Sequence, residues 1–160
     1  MAYSLSSPTI GAQDIATTET EQKHVIGTIV RATDPVYGEG EFIYLKGVAS
    51  TVVGDLVIYD QYANTTTRAV AGSRGPAAVA MSANVASQYG WYQIKGAAVV
   101  KAGTVAANGN VYLTATAGTI DDAVVAGDKV DAARLKTADG TPSAGFAVIQ
   151  IDRPAANANG

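Results

Sequence analysis

From His24 onward the chain is a succession of short apolar runs, each closed by Gly, Asn, Asp or Pro. Val25-Ile26-Gly27-Thr28-Ile29-Val30 is followed by Glu41-Phe42-Ile43-Tyr44-Leu45-Lys46, then Leu56 to Tyr59, Ala77 to Met81 and Trp91 to Ile94. Ala97 to Lys101, Val111 to Thr114, Ala123 to Val125 and Phe146 to Ile151 continue the series. β-Branched and aromatic residues fit a pleated surface, and the intervening residues turn the chain, so each run predicts a strand. No stretch carries an apolar stripe at i, i+3, i+4 and i+7 over three turns. Asp131 to Lys136 and Ala83 to Gln88 have room for a single helical turn each, too short to stand without tertiary support. The expected fold is all-β, a compact antiparallel barrel or sandwich of short strands with an extended N-terminal arm.

The boundaries follow from composition. Residues 1–23 are rich in Ser, Thr, Gln and Ala, and Pro8 and Gly11 interrupt them. So polar a segment buries too little surface to fold alone. Tyr3, Leu5, Ile10 and Ile15 are spaced anchors, which favours an arm that orders on a neighbour over a passive tail. An extended arm can add to an exposed sheet edge, its alternate side chains filling pockets. On this reading residues 24–154 form the β-domain, residues 155–160 a flexible tail, and removing the chain through Thr20 leaves the domain's melting temperature nearly unchanged.

The chain has 160 residues, enough for one domain with its own core, and 0 cysteines, which excludes a disulfide scaffold and thiolate metal sites. Charged residues make up 16%, low enough to suggest a surface that is partly covered in the working state. A net charge of −3 with no Lys/Arg run argues against nucleic acid and against an anionic membrane surface as partners. The N-terminus lacks the basic start and apolar run of a secretory signal, and no apolar stretch reaches the ~20 residues of a membrane span.

Little in the sequence points to chemistry. His24 is the one histidine, and a triad would need a nucleophile beside it, yet no Gly-x-Ser-x-Gly elbow occurs. Asp121, Asp122, Asp128 and Asp131 form an acidic group without calcium-loop spacing, and they read as turn formers. Gly72-Ser73-Arg74-Gly75-Pro76 is a β-turn, since Pro76 lacks the N–H a phosphate would use. No catalytic residue, cofactor or metal site is assigned. Tyr89-Gly90-Trp91-Tyr92 is the remaining candidate. On a strand Trp91 and Gln93 share one face and Tyr92 and Ile94 the other. One face belongs to a core, leaving the other for a subunit contact or a stacking platform for carbohydrate or nucleobase.

A small signature recurs. Gly54-Asp55-Leu56-Val57, Gly109-Asn110-Val111-Tyr112 and Gly127-Asp128-Lys129-Val130 share a Gly-Asp/Asn-x-apolar pattern that turns the chain into a strand. Val53 to Val57, Gly90-Trp91-Tyr92-Gln93-Ile94-Lys95-Gly96, Ala126 to Val130 and the closing Ala144 to Pro154 resemble the capsid decoration (cement) proteins of tailed bacteriophages over about two-thirds of the chain, Gly54 to Pro154. The resemblance implies a non-enzymatic virion protein, made in the host cytoplasm and carried on the capsid exterior. It implies binding to the major capsid protein of an expanded head and self-association, as a homotrimer or else a dimer. Tyr3, Leu5, Ile10, Ile15, Trp91 and Tyr92 are the candidate capsid or subunit contacts. Another virion module, in a tail or head fibre, and a carbohydrate-binding β-domain are the competing readings.

Overall fold

The computed structural model describes residues 14–157 together with the backbone of Ser4–Leu5. The elements are β1 (Ser4–Leu5), β2 (Ile29–Asp34), β3 (Gly38–Lys46), β4 (Leu56–Asp60), β5 (Thr65–Arg68), β6 (Gly75–Ala80), β7 (Tyr89–Lys101), β8 (Asn110–Leu113), β9 (Ile120–Asp121), β10 (Lys129–Leu135) and β11 (Phe146–Ala156). The described residues contain no helix. Both segments with room for a helical turn are otherwise: Asp131 to Leu135 lies within β10, and Ala83 to Gln88 is an irregular loop.

All strand pairings are antiparallel and join one sheet, in the order β1-β2-β3-β7-β6-β11-β10-β8-β9, with β4 bridging β5 and β6. The sheet does not close into a barrel. Along one edge β7 pairs with β3 from Tyr89 to Lys95; its other edge passes from β6, at Tyr92 and Gln93, to β11, from Lys95 to Lys101. This change of partner coincides with a bulge opposite Glu41/Phe42, next to Gly96. Gly96 has φ +102°, and a Cβ there would lie 2.6 Å from the Glu39 carbonyl oxygen. A bulge and a glycine are what let one strand bend between two partners. This is why Trp91 to Ile94 and Ala97 to Lys101, two runs in the sequence, are one strand.

The bend separates three apolar clusters. The largest lies between β4, β6, the second half of β7 and β8 to β11, around Leu56, Val79, Val100, Leu113, Leu135 and Ile149. The others lie on opposite faces of the β3–β7 pair. Phe42, Tyr44 and Trp91 point to one side, Ile43, Leu45, Tyr92 and Ile94 to the other. Strand alternation dictates this division, and here both faces are covered. β4 to β6 cover the second face with Val57, Ala78 and Ala80. The first is covered by the polar N-terminal segment, through Ile15.

Both ends of the β-domain therefore lie beyond the expected limits. Ile15 is 1% exposed and belongs to the core, so the body begins before His24. At the other end β11 continues to Ala156, where Ala155 pairs with Pro76 and Ala156 with Gly75. A flexible tail from residue 155 is not what forms; residues 158–160 lie outside the described residues. Strand β2 starts at Ile29, because Gly27 at φ +91° and a turn at Val25 to Thr28 precede it. Ala123 to Val125 is a loop with Val124 80% exposed, since Asp121 folds its carboxylate back onto the N–H groups of Asp122 and Ala123.

The recurrent Gly-Asp/Asn signature opens β4, β8 and β10. Gly54 and Gly127 take φ +82° and +85°; in the third copy the left-handed residue is Asn108, at +65°, one position earlier. Asn tolerates that conformation better than other side-chain-bearing residues.

Candidate attachment surface

The inner part of the N-terminal segment is fastened by a backbone pair and a buried carboxylate. Glu19 N–H donates to the Tyr89 carbonyl and Tyr89 N–H to the Glu19 carbonyl, each at 2.8 Å. The Glu19 side chain is buried and accepts a short hydrogen bond from the Tyr44 hydroxyl, which in turn accepts from the Lys23 N–H at 3.2 Å. Lys23 Nζ lies 3.8 Å from the same carboxylate. A buried carboxylate is tolerated only with such partners. Burial, then the bond to Glu19, pushes the Tyr44 phenol up to about 12.

His24 packs edge-on to Tyr44 with ring centroids 5.0 Å apart, and 5.3 Å from Trp91. Its Nε2 is buried without a hydrogen-bond partner. The surroundings are aromatic, and the imidazole serves as packing between the N-terminal segment and the sheet.

The sequence candidates separate. Trp91 and Tyr92 occupy opposite faces of β7, as alternation requires, but they are 1% and 0% exposed. Neither presents a surface to sugar, base or subunit in this fold. Ile15 is core. Leu5 lies on β1, whose backbone pairs with the edge of β2 through Ser4↔Thr33 and Leu5↔Ala32. The outer arm thus meets a sheet edge, and the edge is the chain's own. Tyr3 and Ile10 lie outside the described residues.

The four aspartates do not converge. Asp121 caps its own loop, and Asp122 accepts from Ala106 N–H at 2.8 Å. Asp128 accepts from Gly72 N–H at 2.6 Å. The Asp131 carboxyl is held below its usual range, first by the Asn157 amide at 2.9 Å and then by Lys129. Each stabilises the loop or strand end that carries it. Among the described residues no group of three or more His, Cys, Asp or Glu is placed to hold a metal.

Sequence reasoning missed the strongest polar feature. Asp55 is fully buried and receives Arg68 Nε at 2.7 Å, Lys101 Nζ at 3.0 Å and Val52 N–H at 3.0 Å. Arg68 also donates to the Ala117 carbonyl at 2.9 Å, tying a fourth segment to the same point. The Gly-Asp signature marked the turn, but the cations are distant in sequence and only the sheet brings them together.

Exposed apolar side chains occur at Val25, Val36, Tyr62 and Val124, and as a set of three on two joined loops. Gly47 N–H donates to the Gln88 carbonyl at 2.8 Å, which joins the loop after β3 to the loop before β7. On these joined loops Val52, Val53 and Val85 are 43%, 44% and 37% exposed. Val52 N–H donates to Asp55 Oδ2 at 3.0 Å and Val85 N–H to Gln88 Oε1 at 3.2 Å, so both loops have their backbone held where the apolar side chains emerge. Compared with models of known protein families and with curated proteins, the chain matches none.

Proposed function

We propose that this chain is a capsid decoration protein, an all-β body that attaches to the outer surface of an expanded phage head and stabilises contacts between major capsid subunits. The observation that carries the reading is the pair of joined loops bearing exposed Val52, Val53 and Val85 on backbones held by the buried Asp55 and by Gln88. Cement needs apolar adhesive groups on a stiff support, repeated in many copies. Each contact can be weak, because many simultaneous contacts raise the net avidity without any new interaction. A protein that binds only the assembled shell stabilises that shell by mass action.

The resemblance from Gly54 to Pro154 supports the same reading. Its segments are the turn into β4, the central strand β7, the turn into β10 and the closing strand β11. They are the parts on which the body depends, and the resemblance implies a homotrimer on the shell. The test is cosedimentation of the purified protein with heads of the phage that encodes it, before and after expansion. Binding to expanded heads, lost on Val52→Asp with Val53→Asp, supports the proposal. Absence from expanded heads at saturating protein overturns it.

A further inference from the structure

We propose a saccharide-binding groove on the outer end of the β4–β5 hairpin, separate from the loops assigned to attachment. The groove is a cleft of about 660 Å³. It arises where the core-facing side of β4 runs past the end of the core. Leu56 is buried, Ile58 is half-buried and Asp60 is exposed, all on that one face. Register sets the walls. Thr67 stands opposite Ile58 and Thr65 opposite Asp60 on β5, while Arg74, Gly75 and Pro76 close the other side. Gly75, at φ +123°, keeps the floor open, because a Cβ there would stand 3.1 Å from Ile58 Cγ2.

At the rim lies Tyr62, 98% exposed. It is not a loose loop residue. Asp60 Oδ1 accepts from the Tyr62 N–H at 2.8 Å and from the Ala63 N–H at 3.0 Å, and Asn64 closes the turn at φ +57°. The carboxylate thus fixes the backbone that presents the ring. Gln61, Tyr62, Thr65 and Thr67 line the cleft, and among the described residues their side chains carry no hydrogen bond. Arg74 Nη1 donates to the Ser73 carbonyl at 2.7 Å and lies 3.9 Å from Asp128 Oδ1, which leaves its other terminal nitrogen toward the cleft.

This combination fits one chemistry. The face of a pyranose ring is a patch of C–H groups that stacks on an aromatic ring, and its edge is a row of hydroxyls. Amide, carboxylate, hydroxyl and guanidinium groups pair with such hydroxyls as donors and acceptors. A phenol ring offers both an apolar face and a polar tip. The charged groups of the cleft, Asp60 and Arg74, are each already engaged within the protein, so the class of ligand is a neutral oligosaccharide. The aromatics that the sequence singled out, Trp91 and Tyr92, are core; Tyr59 packs against the Tyr92 cluster on the opposite face of β4, and Tyr62 is the aromatic ring at the rim of the cleft.

The experiment titrates the full-length, isotope-labelled protein with maltohexaose and, separately, chitohexaose, following backbone amide resonances. No capsid is present, so the outcome is independent of the attachment reading. The expected result is saturable binding to one of the two sugars at millimolar Kd, with shifts confined to residues 58–76. Tyr62→Ala should weaken it about tenfold, equivalent to about 1.4 kcal/mol. Because Tyr62 is exposed, this variant should melt with the parent protein. Arg74→Ala is the second variant and should also weaken binding. Absence of saturable shifts with both sugars, shifts centred elsewhere, or an unchanged Kd in Tyr62→Ala would each overturn the proposal.

Discussion

Arg68 donates through Nε to Oδ2 of Asp55 at 2.7 Å, and Asp55 is fully buried while Arg68 and Lys101 keep about a quarter of their side chains in water. The carboxylate is therefore the costly member of the group, and its partners are what make its burial tolerable. Through them it connects the turn into β4, strand β5, strand β7 and the Ala117 carbonyl.

Asp55→Asn should therefore destabilise the protein by about 3 kcal/mol, since it leaves two partly buried cations without their counter-charge. Gly118 supports the same site: a Cβ on it would stand 2.3 Å from Asp55 Oδ1. The check is a urea unfolding midpoint, with the slope unchanged. A loss below about 1 kcal/mol would show that water reaches the carboxylate.

Alkaline pH should unfold the protein through its phenols. The Tyr44 and Tyr92 phenols are both raised from 10.0 to about 12, chiefly by burial. The unfolded chain releases these protons near pH 10, whereas the folded chain holds them to about 12. Their contribution is thus fully present below about pH 10 and declines as the pH rises toward about 12. Urea midpoints across that window, read beside tyrosinate absorbance, should show the fall, and Tyr44→Phe should reduce its slope.

Ile15 makes the N-terminal segment part of the core. Ile15→Ala should cost about 2–4 kcal/mol, the range for deleting a buried aliphatic side chain. Truncation through Thr20 removes Ile15 and Glu19 together, and it should lower the melting temperature by about 5–10 °C. This reverses the expectation from sequence that such a truncation is neutral. A truncation that stops before Asp14 spares Ile15 and Glu19, so it should lower the melting temperature by about 2 °C, clearly less than truncation through Thr20 does.

Two glycines should separate crowding from backbone strain. A Cβ on Gly47 would stand 1.9 Å from the Asn84 carbonyl oxygen and 2.7 Å from that of Val85, both backbone atoms that cannot swing aside. Gly47→Ala should cost about 3 kcal/mol or more and loosen the joined loops. Gly72 has nothing within 4 Å but sits at φ +84°, so Gly72→Ala should cost only about 1–2 kcal/mol. Equal losses in thermal melts of the two variants would contradict this assignment.

By itself the sequence determined that the fold is all-β, where the main strands lie and which way their side chains alternate. Those are local properties: β-branched runs favour the pleat, and the Gly-Asp or Gly-Asn turns at residues 54, 109 and 127 each lead into a strand. Polar strands were illegible for the same reason. Thr65–Arg68 and Lys129–Leu135 carry little apolar periodicity, and they are strands because β4 and β11 offer them paired edges. Tertiary structure alone decided burial. Trp91 and Tyr92 look alike in sequence to a surface platform, yet β7 is covered on both faces, on one of them by the polar segment that ends at Lys23. It also decided that Asp55 meets Arg68 and Lys101 and that Glu19 meets Tyr44 and Tyr89, which come from strands farther along the chain. A carboxylate's counter-charge is set by which strands pair, and pairing is a property of the whole sheet, which no local pattern encodes.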